Sequence, residues 1–354
     1  MTRDDGGMTN GLQGDSSNGT RRVWIAGTGR SVPDRVLTNA DLERIVDTSN
    51  DWIIARTGIE ERRVASDEEY TSVFAVDAAR KAMEMAGVEA SDVDLVLIST
   101  VTPDMPFPAT ACLVQEELGA KDATAFDLNA GCTGFVYGLS VAHQYLSSGA
   151  ASTALVIGAE SLTKYTDYED RSTCVLFGDG AGAVVLRGED PPGPSSENGL
   201  SGILSVAIHS DGSLAHLLEM PGGGSRNPPN RPETLEARLP FIRMLGNETF
   251  KVAVRTLAEV SGEVLEGAGQ RPEDVRWLIP HQANRRIIDA VGRRIDVPAD
   301  RVYVNVERYG NTSAASIPIA LDELNRDGRI DPGDLVLMAA FGAGLTWGAA
   351  AVRF

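Results

Sequence analysis

AFDLNAGC, at residues 125–132, is a strand-like run that ends in a glycine and a cysteine just before a predicted helix. A second stretch, YVNVERYGN at 303–311, leads into the helical pattern SAASIPIALDEL in the same way. Each helix is followed by two more strand-like runs, ALVIGAE and GDGAGAVVLR in the first half, LVLMAAFG and LTWGAAAVRF in the second. This repeated order predicts duplicated α/β halves with pseudo-twofold symmetry. It places Gly131–Cys132 and Gly310–Asn311 at equivalent strand-to-helix junctions.

Two segments of biased composition set the boundaries of these halves. Residues 1–20 are rich in Gly, Asn, Asp and Ser, so we expect a disordered tail. The run DPPGPSSEN predicts a linker loop at 190–200, between an N-terminal half at 21–189 that holds the cysteine and a C-terminal half at 201–354. Short aliphatic runs alternate with amphipathic segments, as is typical of an α/β protein. The predicted buried strands are 93–100, 154–158, 184–187, 277–280 and 335–340.

Composition restricts the class of partner. The formal net charge of −18 over 354 residues argues against binding to nucleic acid or to an anionic membrane surface. No apolar run approaches the roughly 20 residues that cross a bilayer. The three cysteines, Cys112, Cys132 and Cys174, show no CxxC spacing, which favours a reducing compartment over a disulfide framework or a metal site. We therefore expect a cytoplasmic protein without a bound metal.

Three side chains are candidates for catalysis. Cys132 precedes a helix whose unpaired amides and dipole favour an anion, so we expect its thiol to ionise readily. His281 follows the predicted strand WLIP, and strand ends are where α/β sites form. Asn311 lies in the turn YGNTSAAS. Each residue alone also fits a structural role, as core filler, buried histidine or helix N-cap.

Together the motifs resemble the β-ketoacyl-acyl carrier protein synthase III family of the thiolase superfamily. The three that carry the candidate residues are LNAGCTGF (128–135), IPHQANRRI (279–287) and ERYGNTSAASIPIA (307–320). The resemblance runs from about Val23 to Phe354 and also covers DWIIARTGI (51–59), FPATAC (107–112), DRST (170–173), FGDGAGAVVL (177–186), GNETFKVAV (246–254) and FGAGLTWG (341–348). It implies a thiolase-like fold with layers in the order αβαβα.

The resemblance implies a decarboxylative condensation that starts fatty acid or related polyketide synthesis. Cys132 would take the acyl group of a coenzyme A thioester, and the backbone N–H groups of Cys132 and Ala343 would stabilise the oxyanion. His281 and Asn311 would then stabilise the enolate formed when malonyl-acyl carrier protein loses carbon dioxide. The product would be a 3-oxoacyl-acyl carrier protein. Coenzyme A would be a substrate group, with no cofactor and no metal.

Further residues are assigned to substrate and partner contacts only by this resemblance. Phe107 would reach across the interface of a homodimer to close the acyl pocket, and its bulk predicts a short acyl primer. The residues expected to contact coenzyme A are Trp52, Arg56, Arg171, Asn247 and Asn284.

A basic face is expected to dock the acidic carrier protein. Such a face is less expected in a chain this acidic, although a charged helical face is often only solvated. The residues expected in this contact are Gln282, Ala283, Asn284, Arg285, Arg286, Lys251, Arg255, Arg293 and Arg294.

Other functions remain open at this stage. Relatives in secondary metabolism form the same acyl-cysteine but pass the acyl group to another acceptor without condensation. The same scaffold would also serve a non-catalytic carrier-protein partner, a cysteine hydrolase or a synthase of the 3-hydroxy-3-methylglutaryl-coenzyme A type. The glycine-rich run at 178–183 is not expected to bind a nucleotide, because it leads into a strand rather than a helix.

Overall fold

The computed structural model describes residues 21–190 and 201–354, so the predicted tail and nearly all of the predicted linker lie outside the described residues. The strands are β1 (Arg22–Ser31), β2 (Val36–Thr38), β3 (Glu61–Arg63), β4 (Leu95–Ser99), β5 (Thr124–Leu128), β6 (Thr153–Ser161), β7 (Asp179–Glu189), β8 (Gly202–Ser210), β9 (Leu218–Glu219), β10 (Arg243–Met244), β11 (Val275–Pro280), β12 (Leu335–Gly342) and β13 (Thr346–Arg353). The helices are α1 (Asn39–Leu42), α2 (Asn50–Thr57), α3 (Thr71–Ala86), α4 (Thr110–Leu118), α5 (Gly134–Ser147), α6 (Pro232–Glu236), α7 (Gly246–Gly267), α8 (Arg285–Ile295), α9 (Val306–Tyr309) and α10 (Ser316–Arg326).

Two large sheets have matching topologies. The first has the order β1-β7-β6-β4-β5, and the second has the order β8-β13-β12-β11. In the first sheet β4 is parallel to β6, and the antiparallel strands β7 and β1 follow. In the second sheet β11 is parallel to β12, and the antiparallel strands β13 and β8 follow in the same way. Val302 makes one parallel bridge to Leu278 where the second sheet lacks a fifth strand. The matching orders confirm the predicted duplication.

Five layers form because each sheet is covered on both faces. Helices α3 and α4 pack outside the first sheet, α7 and α8 outside the second, and α5 and α10 lie between the sheets. Strands β6 and β12 are buried along their whole length, as expected for strands with helices on both sides. Nine of the 11 residues of α10 are also buried. The layer order αβαβα is therefore confirmed, and none of the helices described is long and apolar enough to span a membrane.

The two halves do not align as the repeat pattern predicted. Residues 303–311 form no strand; they contain the short helix α9, and Asn311 makes only an isolated bridge to Phe177. One 3-10 turn, Gly131–Thr133, precedes α5, and another, Ser313–Ala315, precedes α10. Gly131 at φ 56° and Ser313 at φ 49° occupy the same place in these turns. The prediction that Gly131–Cys132 matches Gly310–Asn311 is thus wrong, because the register is shifted by three residues and Cys132 corresponds to Ala314.

Candidate active site

Cys132 lies in the 3-10 turn between β5 and α5, at the point where two cavities meet. Its side chain is nearly buried, with 9% exposure. The smaller cavity, of about 230 Å³, is largely apolar, and its walls include Leu162, Tyr165 and Ile242. The larger, of about 670 Å³, is lined by His281 and Asn311 as well as Cys132. The three candidate catalytic residues, far apart in sequence, therefore line one cavity.

The Cys132 thiol does not have the ready ionisation that its position before a helix predicted. Burial raises its pKa to about 12, and the neighbouring Ser313 hydroxyl opposes this only in part. In the free protein the group is therefore a neutral thiol. The start of α5 favours the thiolate only as charge develops on the sulfur, so the attack requires an acceptor for the proton.

Two close backbone approaches bring the amides of Cys132 and Ala343 together. Strand β12 ends at Gly342, where a Cβ atom, if one were present, would stand 2.4 Å from the Cys132 nitrogen. A Cβ atom on Gly131 would stand 2.7 Å from the Ala343 nitrogen. Only glycine permits this contact between the two chain segments. The arrangement matches a pair of N–H donors for one oxyanion.

Replacing Gly342 by alanine is expected to lower the rate of acyl transfer by roughly 100-fold or more, because the new methyl group separates the two amides. The measurement is the rate at which acetyl-coenzyme A acetylates the protein. Gly262→Ala in α7 is the matched control, since a Cβ there meets nothing within 4 Å. An unchanged rate in Gly342→Ala would contradict the assignment of these amides as an oxyanion hole.

His281 follows β11, and its backbone N–H donates to Ala339 O at 2.8 Å. Its ring Nδ1 lies 2.7 Å from Ser316 Oγ, which also accepts a 3.3 Å hydrogen bond from the Gln282 N–H. No other acceptor for the Ser316 hydroxyl proton is found in the part of the chain that is described, so the hydroxyl donates to Nδ1. The ring proton is then on Nε2. Burial lowers the pKa of His281 to about 3, so the ring is neutral and acts as a hydrogen-bond donor.

Asn311 is held by both its backbone and its side chain. Its N–H donates to Leu176 O at 2.8 Å, and its carbonyl accepts from the Gly178 N–H at 3.0 Å. Its side-chain Oδ1 accepts a 2.8 Å hydrogen bond from the Ser313 N–H. This leaves the Nδ2 hydrogens to point toward a substrate. His281 and Asn311 thus present two N–H donors to the cavity that contains the Cys132 sulfur.

Four of the five predicted coenzyme A residues line the larger cavity, and the fifth, Arg171, contacts the Trp52 ring. Two guanidinium groups pack over the Trp52 ring, that of Arg56 at 5.2 Å and that of Arg171 at 5.1 Å from its centroid. Asn247 and Asn284 line the same cavity. The side chain of Asn284 also caps α8 and donates to Arg56 O at 3.0 Å, so it has a structural role there.

Most of the predicted carrier-protein residues are exposed around the mouth of this cavity. Arg286 packs over the Phe250 ring at 5.5 Å, while Arg285 is paired with Asp289 at 2.9 Å. Within residues 21–190 and 201–354, the remaining basic groups of the face have no ion pair; they are Lys251, Arg255, Arg286, Arg293 and Arg294. Gln282 differs from the expectation, because its side chain is 1% exposed and its amide is fully bonded to Pro280, Tyr303 and Asn305. It therefore positions the loop and does not reach a partner.

Two side chains near the site, Ser316 and Glu160, were not predicted from the sequence. Ser316 orients His281, but GNTSAAS contains three hydroxyl side chains, at Thr312, Ser313 and Ser316, and the sequence does not indicate which of them contacts the histidine. Glu160 is a fully buried carboxyl group close to the site, and its only signal was an acidic residue at the end of the apolar run ALVIGAE. Phe107, which was predicted to close the acyl pocket of a partner subunit, is 84% exposed and does not line the cavities of its own chain. The described residues contain no cluster of three or more potential metal ligands among His, Cys, Asp and Glu.

Comparisons with known proteins identify the family of the chain. Residues 126–212 match the family 3-Oxoacyl-[acyl-carrier-protein (ACP)] synthase III, and residues 265–354 match its C-terminal region. The Beta-ketoacyl-[acyl-carrier-protein] synthase III of Alkalilimnicola ehrlichii is 53% identical over 332 residues, which cover 93% of this chain and 98% of that protein.

Solved structures give the same result. The crystal structure of 3-oxoacyl-[acyl-carrier-protein] synthase III from Aquifex aeolicus aligns with a TM-score of 0.85 and 49% identity, covering 94% of this chain and 100% of that one. The priming beta-ketosynthase of the R1128 polyketide biosynthetic pathway aligns with a TM-score of 0.86 and 36% identity, over 95% of this chain and 97% of that one. The chain therefore belongs to the β-ketoacyl-acyl carrier protein synthase III family of thiolase-like condensing enzymes.

Proposed function

We propose that the enzyme condenses a short acyl group from coenzyme A with malonyl-acyl carrier protein and releases carbon dioxide, which starts fatty acid or related polyketide synthesis. The observation that carries this proposal is the position of Cys132 at the junction of two cavities, with His281 and Asn311 in the larger one. The smaller cavity receives the acyl chain. The larger one receives first the arm of coenzyme A and then the arm of the carrier protein.

In the first half-reaction the Cys132 sulfur attacks the thioester carbonyl. The tetrahedral oxygen accepts hydrogen bonds from the N–H groups of Cys132 and Ala343, which the close approach of Gly131 and Gly342 holds in place. The bond to coenzyme A breaks, and an acyl-cysteine remains. Trp52, Arg56 and Arg171 hold the nucleotide end of coenzyme A at the cavity mouth by stacking and charge.

In the second half-reaction malonyl-acyl carrier protein loses carbon dioxide. The thioester oxygen of the resulting enolate accepts hydrogen bonds from His281 Nε2 and Asn311 Nδ2, and the neutral state of His281 makes it a donor over the whole physiological pH range. The enolate carbon then attacks the acyl-cysteine. The electrons for the new bond come from the broken carbon–carboxylate bond, so the reaction needs no redox cofactor or metal.

The test is intact-mass spectrometry of the wild-type protein with acetyl-coenzyme A, followed by malonyl-acyl carrier protein. We expect an acetyl adduct that is then discharged with release of carbon dioxide and formation of acetoacetyl-carrier protein. An adduct that survives the malonyl substrate would support acyl transfer to a different acceptor and would contradict condensation.

A preference for short primers is expected from the volume of the acyl cavity, about 230 Å³. Acetyl-, propionyl- and small branched acyl-coenzyme A should acylate Cys132 faster than lauroyl-coenzyme A does, because the longer chain has no room behind the sulfur. The measurement is kcat/KM for each thioester. A higher value for lauroyl-coenzyme A would contradict the assignment of this cavity.

Reversing the charge of Arg286 is expected to raise the KM for malonyl-acyl carrier protein by about tenfold, because it removes an exposed cation from the docking face. Acetylation from acetyl-coenzyme A should be unaffected by Arg286→Glu. Arg80→Glu on α3 is the control, since Arg80 is equally exposed but pairs with Glu117 outside the active-site region. An unchanged KM would remove Arg286 from the docking surface.

We also propose a cytoplasmic homodimer in which Phe107 of each subunit helps to close the acyl cavity of the other. The large exposed ring of Phe107, which is outside the cavities of its own chain, supports this arrangement. The three cysteines are unpaired, as a reducing compartment requires.

A further inference from the structure

Glu160, near the end of β6, is a fully buried carboxyl group that the proposed reaction does not yet use. Its Oε2 atom accepts three hydrogen bonds, from Thr102 Oγ1 at 2.7 Å, from the Val101 N–H at 3.1 Å and from Thr100 Oγ1 at 3.2 Å. Its Oε1 atom is buried and has no hydrogen-bond partner among the described residues. A buried carboxylate oxygen without a partner is costly, so this atom requires a functional explanation.

The Ser313 hydroxyl lies between Glu160 and Cys132. Ser313 and Cys132 line the smaller cavity together with Val101 and Thr102, two of the residues that bind Glu160 Oε2, and within the described chain the Ser313 hydroxyl is buried without a hydrogen-bond partner. Catalytic hydrogen bonds are often long before substrate binds and shorten in the complex. The two buried polar atoms without partners, Ser313 Oγ and Glu160 Oε1, are thus on the same side of the Cys132 sulfur.

The backbone at Ser313 shows that the hydroxyl is retained at a cost. Ser313 has φ 49°, in the left-handed region, and the equivalent residue in the first half is Gly131. Glycine would adopt this conformation without strain, whereas serine does not. The hydrogen bond from its N–H to Asn311 Oδ1 needs no side chain. The side chain itself must therefore provide what a glycine could not.

His281 is not free to accept the thiol proton. The Ser316 hydroxyl donates to Nδ1, so the ring already carries its proton on Nε2, the atom that faces the substrate oxygen. Within the described residues no lysine or arginine forms an ion pair or hydrogen bond with Glu160 that would hold it as a permanent counter-ion. The carboxyl group is therefore the candidate base on this side of the sulfur.

We propose that Glu160, acting through the Ser313 hydroxyl, accepts the proton of the Cys132 thiol during acyl transfer. The sulfur forms its bond to the thioester carbon as its proton moves to Ser313 Oγ and the Ser313 proton moves to Glu160 Oε1. When the carbon–sulfur bond to coenzyme A breaks, the same path returns the proton to the leaving thiolate, so the step is neutral overall. The later release of Cys132 takes up one proton from solution. This inference rests on the proposed acyl transfer to Cys132.

The protonation behaviour of Glu160 suits this role. Burial raises its pKa to about 7, and this effect exceeds the opposing effect of the hydrogen bonds from Thr100, Thr102 and the Val101 N–H. A base with a pKa near the working pH both accepts and returns a proton at low cost. The other titratable groups that interact with Glu160 are the Cys132 thiol and the Tyr165 hydroxyl, and both have pKa values raised by burial. Neither is charged at neutral pH, so the carboxylate is the charge that changes.

The test is the rate of Cys132 acetylation by acetyl-coenzyme A, measured by rapid quenching and intact mass between about pH 5.5 and pH 9. In the wild type the rate should rise with pH through about 7, as Glu160 ionises. Glu160→Gln keeps an acceptor for the Val101 N–H but cannot accept a proton. It should acetylate about 100-fold more slowly and lose the rise near neutral pH.

Two further variants separate the relay from a loss of packing. Ser313→Gly relieves the strained φ and removes the small side chain that carries the hydroxyl, so it should slow acetylation in the same way even if Glu160→Gln fails to fold. Asp179→Asn is the control, because Asp179 is an equally buried carboxyl group that accepts three hydrogen bonds, from Ala65 and Thr163, away from the cavities. It should keep the wild-type pH profile.

The possible failures are distinguishable. Wild-type protein that forms no acetyl adduct would contradict the proposed function itself. Wild-type protein that is acetylated, together with Glu160→Gln or Ser313→Gly acetylated at the same rate and with the same pH profile, would overturn the relay alone.

Discussion

Replacing Cys132 by alanine is expected to lower the rate of 3-oxoacyl product formation by roughly 10⁴-fold or more, as in other enzymes that lose their nucleophile. The acyl group would have no sulfur to which it can transfer, although both cavities would remain. Substrate binding should change little, because the substitution leaves the residues proposed to contact coenzyme A, Trp52, Arg56 and Arg171, unchanged.

The measurement for Cys132→Ala combines intact mass after acetyl-coenzyme A with an assay of the condensed product. Cys112→Ala is the matched control, because Cys112 is an exposed free cysteine that lines neither active-site cavity. It should keep both the adduct and the product. An acetyl adduct on Cys132→Ala would show that a different residue carries the acyl group.

His281→Ala is expected to separate the two half-reactions. Loss of one preorganised donor to the enolate oxygen should slow decarboxylation by about 10²- to 10³-fold. Acetylation of Cys132 should stay within about threefold of the wild-type rate, because the oxyanion of that step is held by the Cys132 and Ala343 amides. The acyl-enzyme would therefore accumulate.

Release of labelled carbon dioxide from malonyl-acyl carrier protein and the mass of the adduct measure these two rates separately. Asn311→Ala should likewise slow decarboxylation and leave acetylation nearly unchanged, since Asn311 Nδ2 is the second donor to the enolate oxygen. Ser316→Ala should have a smaller effect, because it leaves the ring in place and removes only the hydrogen bond to Nδ1. Equal losses in acetylation and decarboxylation for His281→Ala would instead make His281 the base for Cys132 and would argue against Glu160.

The sequence was sufficient to predict the duplicated fold, because the order of strands and helices is repeated in the order of motifs. It was also sufficient to place Cys132, His281 and Asn311 in one cavity, because three motifs matched one family together. The register of the repeat was wrong, since both halves contain Gly and Asn near the junction and only the paired φ values of Gly131 and Ser313 resolve the alignment.

Properties that depend on the surroundings of a side chain could not be predicted. Position before a helix predicted a reactive thiolate at Cys132, but the deep burial of the sulfur is set by residues from both halves and dominates its pKa. Gln282 lies in the predicted docking segment, but its side chain turns inward because three backbone groups need its amide. Glu160 belongs to no recognisable sequence motif, because its proposed role depends on Ser313, which is distant in sequence.

The single wide cavity on one side of Cys132 has a kinetic consequence. In the proposed reaction coenzyme A and the carrier-protein arm use this cavity in turn, because the acyl chain is assigned to the smaller cavity behind the sulfur. We therefore expect a double-displacement rate law, in which free coenzyme A competes with the second substrate for the acylated form. A cell in which free coenzyme A accumulates would therefore slow the initiation of new chains without any dedicated regulatory site.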